Sequence, residues 1–144
     1  VEANRVGHCR SLILILDSNM LIYIAKGLIP LSSLGDILES IYKLVVPSRV
    51  IEELKSISMR GGLEGKYARK ALELLNNINV EVALVDSNRA DDAIVDLALK
   101  FKSECRVVVA TSDRELRSRL KSLSIPTLYY RVSRGSVELE WLPL

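Results

Sequence analysis

The chain is poor in histidine, cysteine and aromatic residues. Of its 144 residues one is histidine, two are cysteine, and only 5% are Phe, Trp or Tyr. With His8 as the sole histidine, no cluster of His and Cys competes for zinc. Cys9 and Cys105 are too few for a disulfide framework, and their spacing matches no metal site. Two reduced thiols are the expectation, with a single bridge between them left open. No apolar run approaches the roughly 18 residues of a membrane helix. The stretch Val1–Arg10 lacks a signal-peptide pattern, because the apolar run after it leads straight into Asp17 and a helix-like segment. A cytoplasmic protein with no membrane partner is expected. There is no repeat, linker or low-complexity tract. Neither sign of charge dominates: 20 basic and 18 acidic residues leave a net charge of +2, which alone does not argue for nucleic acid.

What is abundant is Ile, Leu and Val, within a hydrophobic share of 49%. That composition suits buried parallel strands in one domain spanning residues 1–144. The segments alternate. Strands are predicted over Leu12–Leu16, Leu44–Val46, Val80–Val85, Arg106–Ala110 and Ile125–Arg131, with a hairpin over Val132–Leu139. Helices are predicted over Asn19–Lys26, Ser32–Lys43, Pro47–Met59, Gly65–Asn77, Ala90–Ser103 and Ser112–Ser122. The alternation implies a Rossmann-like, three-layer α/β/α fold with a central, mostly parallel sheet of about five strands. In such sheets ligands sit beyond the carboxyl ends of the strands.

Asp17 directly follows the first strand, and Asp113 follows Arg106–Ala110 within a few residues. Helical periodicity selects further acids, since side chains three, four and seven apart share a face. Glu53 joins the apolar stripe Val50, Leu54, Ile57, whereas Glu52 does not. Asp91 joins Ile94, Leu97, Ala98 and Phe101, whereas Asp92 points elsewhere. Asp113 joins Leu116, Leu120 and Leu123. One such acid is ordinarily a helix-dipole partner, and Ser112 with Glu115 would make a capping box beside Asp113. Several core-facing acids with no Lys or Arg on the same stripes are harder to explain that way, because an unpaired buried charge costs several kcal/mol.

Convergence of these acids would bring repulsion. Two carboxylates about 4 Å apart repel by roughly 4 kcal/mol at an effective dielectric of 20. A hard cation, Mg²⁺ or Mn²⁺, relieves it and keeps most of its waters. Such a site suits phosphodiester hydrolysis. The expected ligands and catalytic residues are Asp17, Glu53, Asp91 and Asp113. Asn19 would orient Asp17 or a phosphate oxygen, or serve only as a turn residue. Thr111 would hold a water or a carboxylate, or act as a helix-entry hydroxyl. Asp92 is either a supporting group or a solvated first-turn acid. Basic residues gather at Lys55–Arg60, Lys66–Lys70 and Arg114–Lys121. Lys55, Arg114 and Arg117 are the candidates to meet substrate phosphates, against the ordinary reading of solvated helix faces. Tyr129 and Tyr130 would stack on bases or lie in the core.

The stretches "LILILDSNMLIYIAKG", "VVPSRVIEELKSI", "RADDAIVDLALK", "VVVATSDRELRSRL" and "SIPTLYYR" resemble, in this order, the acidic motifs and closing strand of the PIN-domain ribonucleases. The resemblance runs from about Leu12 to Arg131. It implies a PIN-like fold, a metal-dependent endonuclease acting on RNA, and Asp17, Glu53, Asp91, Thr111 and Asp113 as site residues. The fourth motif often reads Thr-Asn-Asp, and Ser112 here replaces the Asn. The ending "TLYYRVSRGSVELEW" and the doubled acid Asp91–Asp92 resemble archaeal members related to ribosomal RNA processing nucleases more than VapC-type toxins. The implied partners are RNA and either an antitoxin or a ribosome-assembly partner. Apolar helix faces between Ile22 and Leu34 give a homodimer a surface to form on. The competing reading is a non-catalytic RNA-binding or scaffolding module of the same fold. A receiver-like or phosphatase-like domain fits poorly: the last parallel strand ends in Tyr130–Arg131 without the needed Lys, and Asp17-Ser18-Asn19 is not Asp-x-Asp.

Overall fold

The computed structural model describes Cys9 and residues 11–140. The expectation for Val1–Arg10 otherwise lies outside the described residues. β1 (Leu12–Leu16) is buried along its whole length, as is β4 (Val107–Ala110). Continuous apolar runs of this kind form strands with both faces covered. β2 (Tyr42–Pro47), β3 (Val80–Ala83), β5 (Thr127–Arg131) and β6 (Ser136–Glu140) complete one sheet in the order β3-β2-β1-β4-β5-β6. Leu14 sits between Leu44 of β2 and Val108 of β4. All pairings are parallel except β5 with β6. The sheet thus has six strands. The extra one is the second arm of the hairpin expected at the end, turned at Gly135 with φ +60°.

The helices are α1 (Ser18–Ala25), α2 (Leu34–Leu38), α3 (Ser48–Ser58), α4 (Gly62–Asn77), α5 (Ala90–Lys102) and α6 (Arg114–Ser122). They form two layers around the sheet: α1, α3 and α4 pack on one another, α5 lies along β2, β1 and β4, and α6 lies against β5. Strand order reverses between β1 and β4, so the crevice at their carboxyl ends is the switch point where such folds bind ligands.

The helix expected over Ser32–Lys43 is corrected. A 3₁₀ turn at Leu31–Ser33 leads into the short α2, which stops where Glu39 turns left-handed at φ 50°. Leu34 and Leu38 anchor that turn in the core, and Ile41 is left 79% exposed. Parallel pairing of Tyr42 with Leu12 claims the rest of the segment for β2. β3 also ends two residues early, because the edge strand pairs only as far as Pro47–Ala83. The homodimer surface expected between Ile22 and Leu34 is mostly consumed by the core: Ile24, Ile29 and Leu34 are buried, and Leu28 is exposed. The cysteine expectation is corrected too. Cys9 and Cys105 form a disulfide, because each lies within three residues of the start of one of the neighbouring strands β1 and β4. Among the described residues no helix is long and apolar enough to cross a membrane.

Candidate acidic site

Asp17 ends β1 and begins α1. Its N–H donates to the Ala110 carbonyl at 3.0 Å, which ties the ends of β1 and β4 together. The residue is only 4% exposed. Oδ1 accepts from the Ser18 N–H at 2.7 Å, capping α1. Oδ2 accepts from the Thr111 hydroxyl at 2.7 Å and from Asn19 Nδ2 at 3.1 Å. Burial pushes this carboxyl up to about 6, against the Thr111 and Ser18 hydrogen bonds that pull it down, and the charges of Glu53 and Asp91 push the same way as burial. Among the described residues no basic side chain offsets it.

The remaining acids surround it. Val50 and Leu54, both fully buried, fix the face of α3 that turns Glu53 inward, and the Ser18 hydroxyl donates to Glu53. Asp91 stands half-buried in the first turn of α5. Its carboxyl is raised by burial first, then by Asp113 and Glu53, while Arg89 and Arg119 oppose the rise. Asp113 is the N-cap of α6, its Oδ1 accepting from the Leu116 N–H at 2.9 Å and its own N–H donating to the Thr111 hydroxyl at 3.2 Å. It is exposed rather than core-facing, a correction to the stripe reading. The helix begins only at Arg114, so helical spacing does not govern Asp113. The expected capping box is not formed either. The Ser112 hydroxyl instead accepts from the Tyr130 N–H at 3.1 Å, and the Ser112 N–H donates to Asn19 Oδ1 at 3.0 Å.

Asp17 therefore feels the charges of Glu53 and Asp91, and Asp91 those of Asp113 and Glu53, without the four closing on a point. Among the described residues, no three acidic, histidine or cysteine side chains are placed to hold an ion as they stand. The donor set nevertheless fits a hard cation. All donors are oxygens, the most buried of them has no basic partner among the described residues, and Mg²⁺ ordinarily takes only one or two carboxylates with water for the rest.

Other expected residues fall outside this centre. Asp92 is ion-paired with Arg119 at 2.8 Å. Lys55 is exposed two residues beyond Glu53 and does not share its face of α3. Arg117 lies 3.6 Å over the Tyr129 ring and, with Arg114, Lys121 and Glu140, lines a separate hollow of about 210 Å³. Tyr130 packs on Tyr23. The bases beside the acids are different ones. Arg49 and Arg60 line a hollow of about 460 Å³ with Glu53, and Arg89 and Arg119 line one of about 510 Å³ with Asp91. The period that selected Glu53 also selects Arg49, four before it, whereas Arg60 lies past the end of α3, where helical spacing no longer applies.

These features define a doubly wound α/β protein with a group of acidic side chains at its switch point. Residues 14–133 match the family described as PIN like domain, and the chain belongs to that family. A relative named ribonuclease VapC4, from Methanocaldococcus jannaschii, is 32% identical over 117 residues, covering 80% of this chain and 87% of that protein. The solved structure of the PIN domain endonuclease Utp24 superposes with a TM-score of 0.71 at 22% identity, over 90% of this chain and 92% of that one. A T5 5′-exonuclease variant shares the fold at a TM-score of 0.54 and 14% identity, over 89% of this chain and 53% of that one.

Proposed function

We propose that the protein is a ribonuclease that hydrolyses RNA phosphodiesters with Mg²⁺ or Mn²⁺ in the acidic cleft. The observation that carries this reading is Asp17: a carboxylate buried at the switch point, pressed by the like charges of Glu53 and Asp91, with no basic side chain against it among the described residues. Membership of the PIN like domain family and the 32% identity to a ribonuclease support it.

Asp17, Glu53, Asp91 and Asp113 would hold the ion. When bound, it supplies charge neutralisation for the phosphate and an acidified water. The protein's own part is positioning. Thr111 and Asn19 fix the Asp17 carboxylate from two directions, and Ser18 fixes Glu53. Asn19 and Ser112 lock the β1 and β4 ends to each other and, through Tyr130, to β5. Arg49, Arg60 and Arg89, placed beside Glu53 and Asp91, are suited to flanking phosphates.

The test is cleavage of labelled single-stranded and structured RNA with Mg²⁺, Mn²⁺ or EDTA. Cleavage should need the metal and fall by orders of magnitude in Asp17→Asn and Glu53→Gln. Full cleavage by both variants would sink the reading, and metal-independent RNA binding without turnover would favour a scaffolding module. A second reading concerns the biological role. The VapC likeness favours a toxin held by an antitoxin over a ribosomal RNA processing role in the cytoplasm. Co-expression with the product of a small neighbouring reading frame, followed by loss of cleavage, would identify that pair.

A further inference from the structure

Away from the acids, Tyr67 of α4 is ringed by lysines. Lys26, Lys66 and Lys70 place their Nζ atoms 5.5, 5.8 and 5.8 Å from its ring centroid. A ring has two faces, so three cations exceed what cation–π attraction can hold well. Glu64, the nearest acid in sequence, is paired with Arg60 instead. On α4, Leu63, Lys66, Tyr67 and Lys70 follow helical spacing and share one face, and Leu63 is 68% exposed. Such a face combines gathered positive charge with apolar and aromatic surface.

It is also joined to the acidic cleft. Lys26 caps the carboxyl end of α1, whose other end is capped by Asp17. Lys26 lies 6.0 Å from the Tyr23 ring, and Tyr23 packs on Tyr130 with centroids 4.9 Å apart. Tyr130 is in turn bonded to Ser112, and Ser112 to Asn19. Asp17 and Lys26 flank the eight residues of α1, an axial distance of roughly 13 Å, within reach of a few nucleotides.

We propose that the face formed by Lys26, Leu63, Lys66, Tyr67 and Lys70 is a landing surface for single-stranded RNA flanking the cleaved bond, with phosphates on the lysines and a base stacked at Tyr67. The proposal rests on the ribonuclease reading for its substrate. Lysines bind phosphate as point charges, and base–aromatic stacking tolerates any sequence, so this surface would add affinity without sequence preference.

The test is equilibrium binding of a short fluorescein-labelled single-stranded RNA, read by anisotropy in EDTA so that cleavage plays no part, across a salt series. In the triple variant Lys26→Ala, Lys66→Ala, Lys70→Ala, the slope of log affinity against log salt should flatten by about 2. Tyr67→Leu should weaken binding by roughly tenfold, while Tyr67→Phe keeps it. Lys100→Ala, in the last turn of α5, should change nothing, and thermal melts check that each variant folds. An unchanged salt slope in the triple variant overturns the proposal. So does a face that binds polyglutamate in a lysine-dependent way while RNA affinity is unchanged, since it would then serve an acidic protein. Failure of the ribonuclease reading looks different: no metal-dependent cleavage, with the lysine-dependent salt slope intact.

Discussion

The Thr111 hydroxyl donates to Asp17 Oδ2 at 2.7 Å across 94 residues of chain. Thr111 is fully buried, so this bond has no water to replace it. It aims one carboxylate oxygen and also lowers the Asp17 pKa. Thr111→Val keeps the shape and removes the donor. It should destabilise the fold by about 1–2 kcal/mol near neutral pH. Cleavage should fall about tenfold or more with little change in RNA affinity, because a misdirected Asp17 affects the reacting geometry rather than the landing surface. Thr111→Ser should restore most of both. Urea unfolding and single-turnover cleavage measure the two effects; a fully active Thr111→Val would show that the hydroxyl does not position Asp17.

The raised Asp17 carboxyl makes the metal-free protein pH-sensitive. Its folded value of about 6 lies above the ordinary 3.8, with burial the main cause. The folded state therefore holds the proton to higher pH than the unfolded state. The resulting stability is fully present below about 4 and is lost as pH rises through about 6. The difference corresponds to roughly 3 kcal/mol. Asp17→Asn should remove that slope and be the more stable protein above pH 6 in EDTA, less whatever the three donors lose when they face an amide. Thermal melts across this window decide it. A wild-type protein that instead gained stability over the same interval would contradict the assignment.

Much of this site is legible in the sequence because β1 and β4 are apolar runs that end abruptly in polar residues. "LILIL" and "VVVA" mark the two central strands, and the residues just beyond them, Asp17 and Thr111, meet in the structure. Helical period places Glu53 and Asp91 correctly for the same reason that it places Val50, Leu54 and Ile94: a helix face is fixed by its neighbours in sequence. It fails at Asp113, which precedes its helix, and at Ile41, where strand pairing with β1 overrides an apolar spacing that suits a helix. The disulfide depends on β1 and β4 lying side by side, so the two cysteines are close only once the strand order is known. Arg49 and Arg60 are different. The period identifies Arg49 once it is applied to bases as well as acids, whereas Arg60 lies past the end of α3 and is placed only by the structure.

Metal binding should be coupled to this same charge. If Mg²⁺ or Mn²⁺ relieves repulsion among Asp17, Glu53, Asp91 and Asp113, millimolar metal should raise the melting temperature. The gain should be present above pH 6 and shrink as Asp17 takes up its proton below that value. Glu53→Gln should diminish it even though the residue lies on another element. Isothermal calorimetry on the same samples should show proton release near pH 6, where metal displaces the proton of Asp17. Identical melting curves in metal and EDTA at every pH would remove the cation from the reading.

The disulfide should matter for stability and not for chemistry. Cys9 and Cys105 precede β1 and β4, at the opposite end of the strands from Asp17 and Thr111. Five residues of β1 separate the two ends by about 16 Å. The bridge closes a loop across a sequence separation of 96, for which chain entropy predicts roughly 4–5 kcal/mol, with smaller values common in practice. Cys105→Ser, or wild type in reductant, should therefore unfold at markedly lower denaturant concentration. Cleavage well below the new midpoint should stay within about twofold of wild type, because no atom of the acidic site contacts the bridge. Thiol alkylation with and without reductant, read by mass, establishes which form a preparation contains. Equal stability of the reduced and oxidised forms would mean that the N-terminal end of the sheet is held together without the bridge, and a large loss of cleavage in a still-folded Cys105→Ser would mean that the two ends of the sheet are coupled.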